Sequence, residues 1–393
     1  MKKRTIIVTG LACTYPVGGV FWDYVQYLLG FLRLGHDCYY LEDSGKWTYD
    51  CEAQTYTGDA SRNVAWLMAQ FAALAPELTG RFCVRDANNT YWGLDAQALS
   101  DVVKRADLFL NISCNCQLRD EYLGIPVKAL IDSDPLYTQE HVPPYLDGTL
   151  DEPTTWTIDQ LRKHDLFFSF GENIGRPGCL VPAGIFDWRP TRQPVVLDCW
   201  DPATLPDRTV FNTVMSWQPA ERGPLVAGVQ YGGKDFEFMK LMGLPGKTTA
   251  ALELAIGGGL PPWETLMAAG WRLVDGWSVS RDPFGYRDYL RSGLGEFSTA
   301  KNAYVASRSG WFSCRSACYM ALGRPVVVQD TGFSGFIPTG EGVLAFSDEA
   351  GALAGLEAVR SDWGRHARAA RRIAEQEFDS AKVLGRLLAE AGL

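Results

Sequence analysis

Strand-like and helix-like segments alternate along this chain, twice, and no other feature constrains its fold as strongly. Residues 5–11 read as a buried strand around the apolar run Ile6-Ile7-Val8. A Pro16-Val17-Gly18-Gly19 turn follows, and residues 20–34 repeat apolar side chains at helical spacing until Gly35 stops them. Residues 36–41 are strand-like again, which closes a strand–turn–helix–strand unit. The spacing predicts further helices near 64–74 and 96–105. Further strands are predicted near 82–84, 108–112, 127–131 and 166–170. Such alternation predicts an α/β fold whose parallel sheet is covered by helices on both faces.

The stretch 174–206 is rich in Pro, Gly and Trp and has no clean period, so it reads as an interdomain connection. A second alternation then begins. It predicts strands at 210–215, 271–275 and 344–346 and helices at 234–242, 262–269, 284–292, 350–359 and 362–388. Residues 248–255 read as strand or helix, and 303–307 as a weak strand. With 393 residues the chain exceeds what one core usually serves. The expected division is an N-terminal domain over 1–180, a linker over 181–206 and a C-terminal domain over 207–370. A final helix, 371–393, is expected to pack back on the N-terminal domain.

Composition narrows the function classes. A formal charge of −9 disfavours a nonspecific nucleic-acid or membrane surface. The ten cysteines are scattered, several in apolar runs, which suits free thiols in a reducing cytoplasm. Cys114-Asn115-Cys116 has neither the spacing of a zinc knuckle nor a complementary Cys/His pair. Met1-Lys2-Lys3-Arg4 precedes an apolar run too short for a signal peptide, and no segment approaches the roughly twenty apolar residues that cross a bilayer.

The richest stretch for chemistry is 295–333. Residues 295–313 read as a polar, glycine-containing lead-in. An apolar helical run around Ser316 to Leu322 follows, ended by Gly323 and Pro325, and then the short buried strand Val326-Val327-Val328. A helix N-terminus dressed with Ser309, Ser313, Arg315 and Ser316 is suited to an anion, because free N–H groups and the helix dipole point at it. Ordinary N-capping is the competing reading for the serines. Asp330-Thr331-Gly332 follows the strand, where a polar ligand is held in open α/β sheets.

Three places resemble the GT-B glycosyltransferases. Gly18-Gly19 followed by Leu34-Gly35-His36-Asp37 is similar to the opening of many such enzymes. Ala321-Leu322-Gly323-Arg324-Pro325-Val326-Val327 resembles the segment closing their donor helix, and Asp330-Thr331-Gly332 lies where they place polar residues near the sugar. The resemblance implies two Rossmann-like domains whose parallel sheets face a central cleft. The C-terminal domain would bind a nucleotide sugar and the N-terminal domain a small-molecule or glycan acceptor. It departs from the retaining members, whose paired glutamates would fall at Gly310 and Cys318, and from the plant-type inverting members, because Ser309 precedes Gly310-Trp311-Phe312-Ser313.

The resemblance implies roles for particular residues. Ser309, Ser313, Arg315 and Ser316 would clamp the donor diphosphate, with no metal ion and no cofactor. Gly18 and Gly19 would let backbone approach the phosphate or the acceptor, and Gly232-Gly233-Lys234 would lie near the phosphate. Asp330, Thr331, Gly332 and Glu296 would face the sugar or ribose. Asp132 or Asp134, after the strand at 127–131, would bind the acceptor or act as base, with His141 as a further base. Asp23, Tyr15 and Glu172 are additional cleft candidates. Three alternatives stand beside this reading: a sugar-nucleotide epimerase of the same fold, a nucleobase glycosyltransferase acting on DNA, and a noncatalytic nucleotide-sugar-binding module.

Overall fold

Apolar runs that are buried on both faces form the centre of each half. The computed structural model describes residues 2–202, 205–217 and 223–393. The chain begins with β1 (Thr5–Thr9), α1 (Gly18–Arg33) and β2 (Asp37–Glu42). Next come β3 (Thr48–Asp50), β4 (Thr55–Thr57), α2 (Ser61–Leu74), β5 (Phe82–Arg85), β6 (Tyr91–Gly93) and α3 (Ala96–Arg105). The half continues through β7 (Leu108–Ile112), β8 (Val127–Asp132), α4 (Val142–Leu146), α5 (Glu152–Arg162), β9 (Leu166–Ser169) and β10 (Trp188–Pro190). Eight strands form one sheet in the order β10-β9-β8-β7-β1-β2-β5-β6, parallel except for the β5–β6 pair. Ile6, Ile7 and Val8 of β1 are fully buried at its centre. The direction of winding reverses between β1 and β7, so a crevice opens at the carboxyl ends of those two strands.

The second half starts with β11 (Val210–Ser216), a two-stranded hairpin β12 (Leu225–Val226) and β13 (Val229–Gln230), α6 (Lys234–Phe238) and β14 (Ala251–Gly257). It continues with α7 (Trp263–Ala268), β15 (Arg272–Asp275), α8 (Gly276–Ser280), α9 (Pro283–Ser292), β16 (Gly295–Ser298) and α10 (Asn302–Ala306). Then come α11 (Cys314–Ala321), β17 (Val326–Gln329), β18 (Val343–Phe346), α12 (Glu349–Ser361), α13 (Trp363–Glu377) and α14 (Ser380–Glu390). Its sheet has six parallel strands in the order β15-β14-β11-β16-β17-β18 and reverses between β11 and β16.

The two halves share one apolar core. Trp22 and Tyr27 of α1, Tyr319 and Met320 of α11, and Leu384 of α14 belong to the same buried cluster. α14 lies against α1, with Ser380 and Leu384 over Gly30. The Pro/Trp-rich stretch after β9 is itself packed: Trp200 stacks 4.8 Å from Trp22, and its indole N–H donates to Gln26 Oε1 at 2.8 Å. Three other indoles bridge the halves by donating to carbonyls: Trp22 to Pro283, Trp66 to Arg281 and Trp311 to Ser133.

Several elements differ from the sequence expectation. Residues 295–298 are a fully buried central strand, β16, rather than a polar lead-in. A Cβ on Gly295 would stand 2.2 Å from the Pro325 carbonyl, so its glycine serves close strand packing. Residues 303–306 belong to the helical turn α10, which Ser307 ends, rather than to a strand. The long helix expected over 362–388 breaks at Phe378-Asp379, where Asp379 caps α14. The β3–β4 hairpin has no counterpart in the sequence reading.

Candidate active site

The carboxyl ends of β16 and β17 and the N-terminus of α11 line a small, partly open cavity. Ser298, Thr299, Ser313, Arg315, Ser316 and Gln329 give its polar lining, and Trp311, Phe312 and Phe333 its apolar wall. It adjoins the point where the strand order of the second sheet reverses, which is where ligands bind in open α/β folds.

Arg315 is fixed from three sides. Its Nε donates to Glu296 Oε1 at 2.7 Å, one terminal nitrogen to the Val214 carbonyl at 2.6 Å and the other to Ser298 Oγ at 2.8 Å. Burial opposes its charge, but the Glu296 carboxylate outweighs that, and its pKa is raised. Around this neutralised pair stand groups with no partner. Buried Ser316 Oγ, Thr299 Oγ1 and Glu296 Oε2 make no hydrogen bond among the described residues. Lys234, at the start of α6, forms no side-chain hydrogen bond or ion pair among the described residues. Burial drives its ammonium well below the ordinary lysine range, and the nearby Arg315 charge adds to the effect. An anion brought to this place supplies the missing counter-charge and favours the charged ammonium.

Asp23, on the first turns of α1, lies within electrostatic reach of Arg315. Its carboxyl takes a hydrogen bond from the Cys314 thiol at the first residue of α11. Burial raises its pKa to about 7, with Asp134 adding and Arg315 opposing. A carboxyl poised near neutrality in a cleft, beside an anion-seeking helix terminus, is suited to exchange a proton with a ligand.

No family model and no curated protein matches this chain. Solved structures do. Sucrose-phosphate synthase from Thermosynechococcus elongatus superposes with a TM-score of 0.54 at 12% identity, covering 99% of each chain. A trehalose-6-phosphate structure from E. coli, bound with UDP-2-fluoro glucose, gives 0.53 at 10% identity and 98% of each chain. AviGT4, a glycosyltransferase involved in avilamycin A biosynthesis, gives 0.52 at 11% identity, covering 99% of this chain and 97% of its own. This chain has the GT-B fold.

Within the GT-B fold, the residues singled out from sequence are placed unevenly. Ser313, Arg315 and Ser316 line the cavity. Ser309 does not: it is fully buried and bonded to Tyr304 O and Trp311 N. Arg315 is committed to Glu296, so it supplies a fixed charge and not a free fork. Glu296 is correspondingly a buried counter-ion, with 0% exposure, and does not reach a sugar.

The glycines serve packing. A Cβ on Gly18 would lie 2.5 Å from the Asp282 carbonyl, and one on Gly19 would lie 3.3 Å from the Tyr286 ring, so both seat α1 against α9 rather than a phosphate. Gly232 and Gly233 are held against α10 by backbone bonds to Asn302 and Ala303. Thr331 donates to the Trp311 carbonyl at 2.6 Å, and Asp330 caps Gly332 and Ser334, so both are turn builders. Gly332, at φ 97°, sits over Asn173 of the N-terminal half.

The expected bases are also occupied. Asp132 is buried and accepts from Thr138, Gln139 and Ser169 at 2.7–2.9 Å; burial outweighs these bonds and raises its pKa, but it does not line the cavity. Asp134 bridges the cleft to Lys301, at 2.6 Å, and to Tyr304. Burial pushes its pKa up, but those partners outweigh it and hold the carboxyl below its usual range, too weak a base for an alcohol. His141 lies 3.5 Å from Thr154 on α5 and does not line the cavity. Gln329, which precedes Asp330-Thr331-Gly332 at the strand end where a polar ligand was expected, lines it. Thr299 lines it without having been expected to, because nothing in sequence marks which residue of a strand end turns inward.

Proposed function

We propose that the protein is a glycosyltransferase that moves a sugar from a nucleotide-sugar donor to an acceptor hydroxyl by direct displacement. The observation that carries this reading is the set of polar groups around the Arg315–Glu296 pair that lack partners among the described residues, Lys234 and Ser316 above all, together with a nearby carboxyl tuned to neutrality on Asp23. The donor diphosphate sits against the N–H groups of α11 and Lys234. Asp23 takes the proton of the acceptor hydroxyl. The acceptor oxygen forms its bond to the anomeric carbon, and the bond from that carbon to the diphosphate oxygen breaks. The electron pair leaves with the nucleoside diphosphate, whose charge is met by protein groups rather than by a metal ion. The net charge of −9 disfavours a DNA acceptor. All ten cysteines are unpaired, which suits a reducing cytoplasm.

The test is release of nucleoside diphosphate from a panel of UDP-, dTDP- and GDP-sugars, with binding followed by calorimetry. Lys234→Met removes one charge-assisted contact, so donor affinity falls about 10–100-fold. Binding without turnover would identify a noncatalytic module, and neither binding nor turnover would refute the assignment of the cavity.

A further inference from the structure

The same site says what kind of acceptor it takes. The N-terminal sheet reverses between β1 and β7, and the crevice there is floored by hydroxyls and amides. Asn115 Nδ2 donates to Tyr24 OH at 2.7 Å, and Tyr24 OH approaches Ser113 Oγ at 3.5 Å. Ser113 Oγ in turn lies 2.5 Å from Ser133 Oγ. Ser113, Asn115 and Ser133 remain partly exposed. Tyr24 follows Asp23 on α1 and lies within the field of both Asp23 and Asp134, so this chain of hydroxyls begins beside the proposed base.

The backbone here is strained. Ser113 and Cys114 have φ of 58° and 50°, and Leu136, just past the end of β8, has φ of 80°. Non-glycine residues enter this region rarely, at a cost that surrounding structure must offset, and they cluster at binding sites. Two consecutive left-handed residues turn Ser113 and Asn115 toward the crevice that a regular strand exit would bypass.

An aromatic rim stands at the edge of the floor. The β3–β4 hairpin is rooted at this end of the sheet: Tyr49 N donates to the Thr14 carbonyl at 2.8 Å, and Gln117 reaches the Ser44 carbonyl at 3.3 Å. Trp47 and Tyr56 are 59% and 53% exposed, and Tyr56 is braced edge-on by Tyr49 and Tyr15.

We infer that the acceptor is a carbohydrate, whose hydroxyls bond to Tyr24, Ser113, Asn115 and Ser133 while a C–H face rests on the Trp47/Tyr56 hairpin; this rests on the donor reading above. Hydroxyls that both donate and accept match a floor of groups that do the same, and the apolar faces of sugar rings pack on aromatic rings. A lipid or polycyclic acceptor calls for an apolar trough, which this floor of hydroxyls and amides does not offer.

The experiment offers the purified protein its best nucleotide sugar together with mono- and oligosaccharides in one arm and alkyl and aryl alcohols in the other, with products read by mass spectrometry. Transfer to sugars is expected. Asn115→Ala should raise the acceptor KM about tenfold while moving the donor KM less than twofold. Trp47→Ala, an exposed substitution that leaves folding intact, should raise KM more for oligosaccharides than for monosaccharides. Donor turnover with transfer to alcohols alone, or with no sugar accepted, overturns the inference. Absence of donor binding and turnover is a different result and refutes the donor reading beneath it.

Discussion

Asp23→Asn separates chemistry from stability in one variant. The substitution keeps size and removes the titrating group. A general base contributes about 10²–10⁴ to rate, so kcat should fall by that factor while donor affinity holds. In the native protein kcat/KM should rise with pH and level off above about 7, where Asp23 loses its proton; the Asn variant should lack that inflection. The same carboxyl governs stability with the opposite trend. Its pKa is about 7 when folded against an ordinary 3.8. Between these values the folded chain keeps a proton that the unfolded chain has released, so stability declines as pH rises from about 4 to about 7 and stays reduced above. At about 1.36 kcal/mol per pKa unit, the full difference is about 4 kcal/mol at most. Unfolding entropy of about 2.1 cal/mol/K per residue converts this, for a 393-residue chain melting as one unit, to about 5 °C. The Asn variant should therefore melt up to about 5 °C higher than the native protein at pH 8, and no higher at pH 4. Scanning calorimetry at both pH values, alongside activity from pH 5 to 9, measures both effects. An equal Tm offset at pH 4 and pH 8, or an unaltered pH–rate profile, would refute the reasoning.

Two further substitutions probe the scaffold of the site. Glu296→Ala leaves the buried Arg315 guanidinium without its counter-ion and should cost about 3–5 kcal/mol in denaturant unfolding; a loss under 1 kcal/mol would show that Arg315 is readily re-solvated. Gly18→Ala places a methyl 2.5 Å from the Asp282 carbonyl and should lower stability by about 1–3 kcal/mol, with nucleoside diphosphate affinity little changed. A large loss of that affinity would return Gly18 to the phosphate role.

The fold was legible because buried parallel strands leave an unambiguous trace: Val326-Val327-Val328 and Ile6-Ile7-Val8 are apolar whichever way they face. β16 escaped because its four residues, Gly295-Glu296-Phe297-Ser298, carry the ion pair and the glycine of a site-bearing strand. The β3–β4 hairpin escaped because its strands are three residues each and half-exposed, below the length at which alternation can be read.

The site was legible at the level of its helix and not of its partners. Ser313 and Ser316 could be chosen because a helix start is visible in sequence. Whether a carboxylate is free or spent depends on neighbours far along the chain, and sequence does not show those. Asp132 and Asp134 follow a strand as a base should, yet Ser169, Lys301 and Tyr304 occupy them. Asp23 sits inside a helix, where an acid usually signals a solvated face, and only the packing of α11 across it makes it a weakly acidic group in a cleft. Asp134 has a different use in consequence. Its bridge to Lys301 joins the two halves beside Thr299 and Ala300, which line the donor cavity, so the carboxylate expected to perform the chemistry instead helps to hold together the two walls between which Asp23 can act.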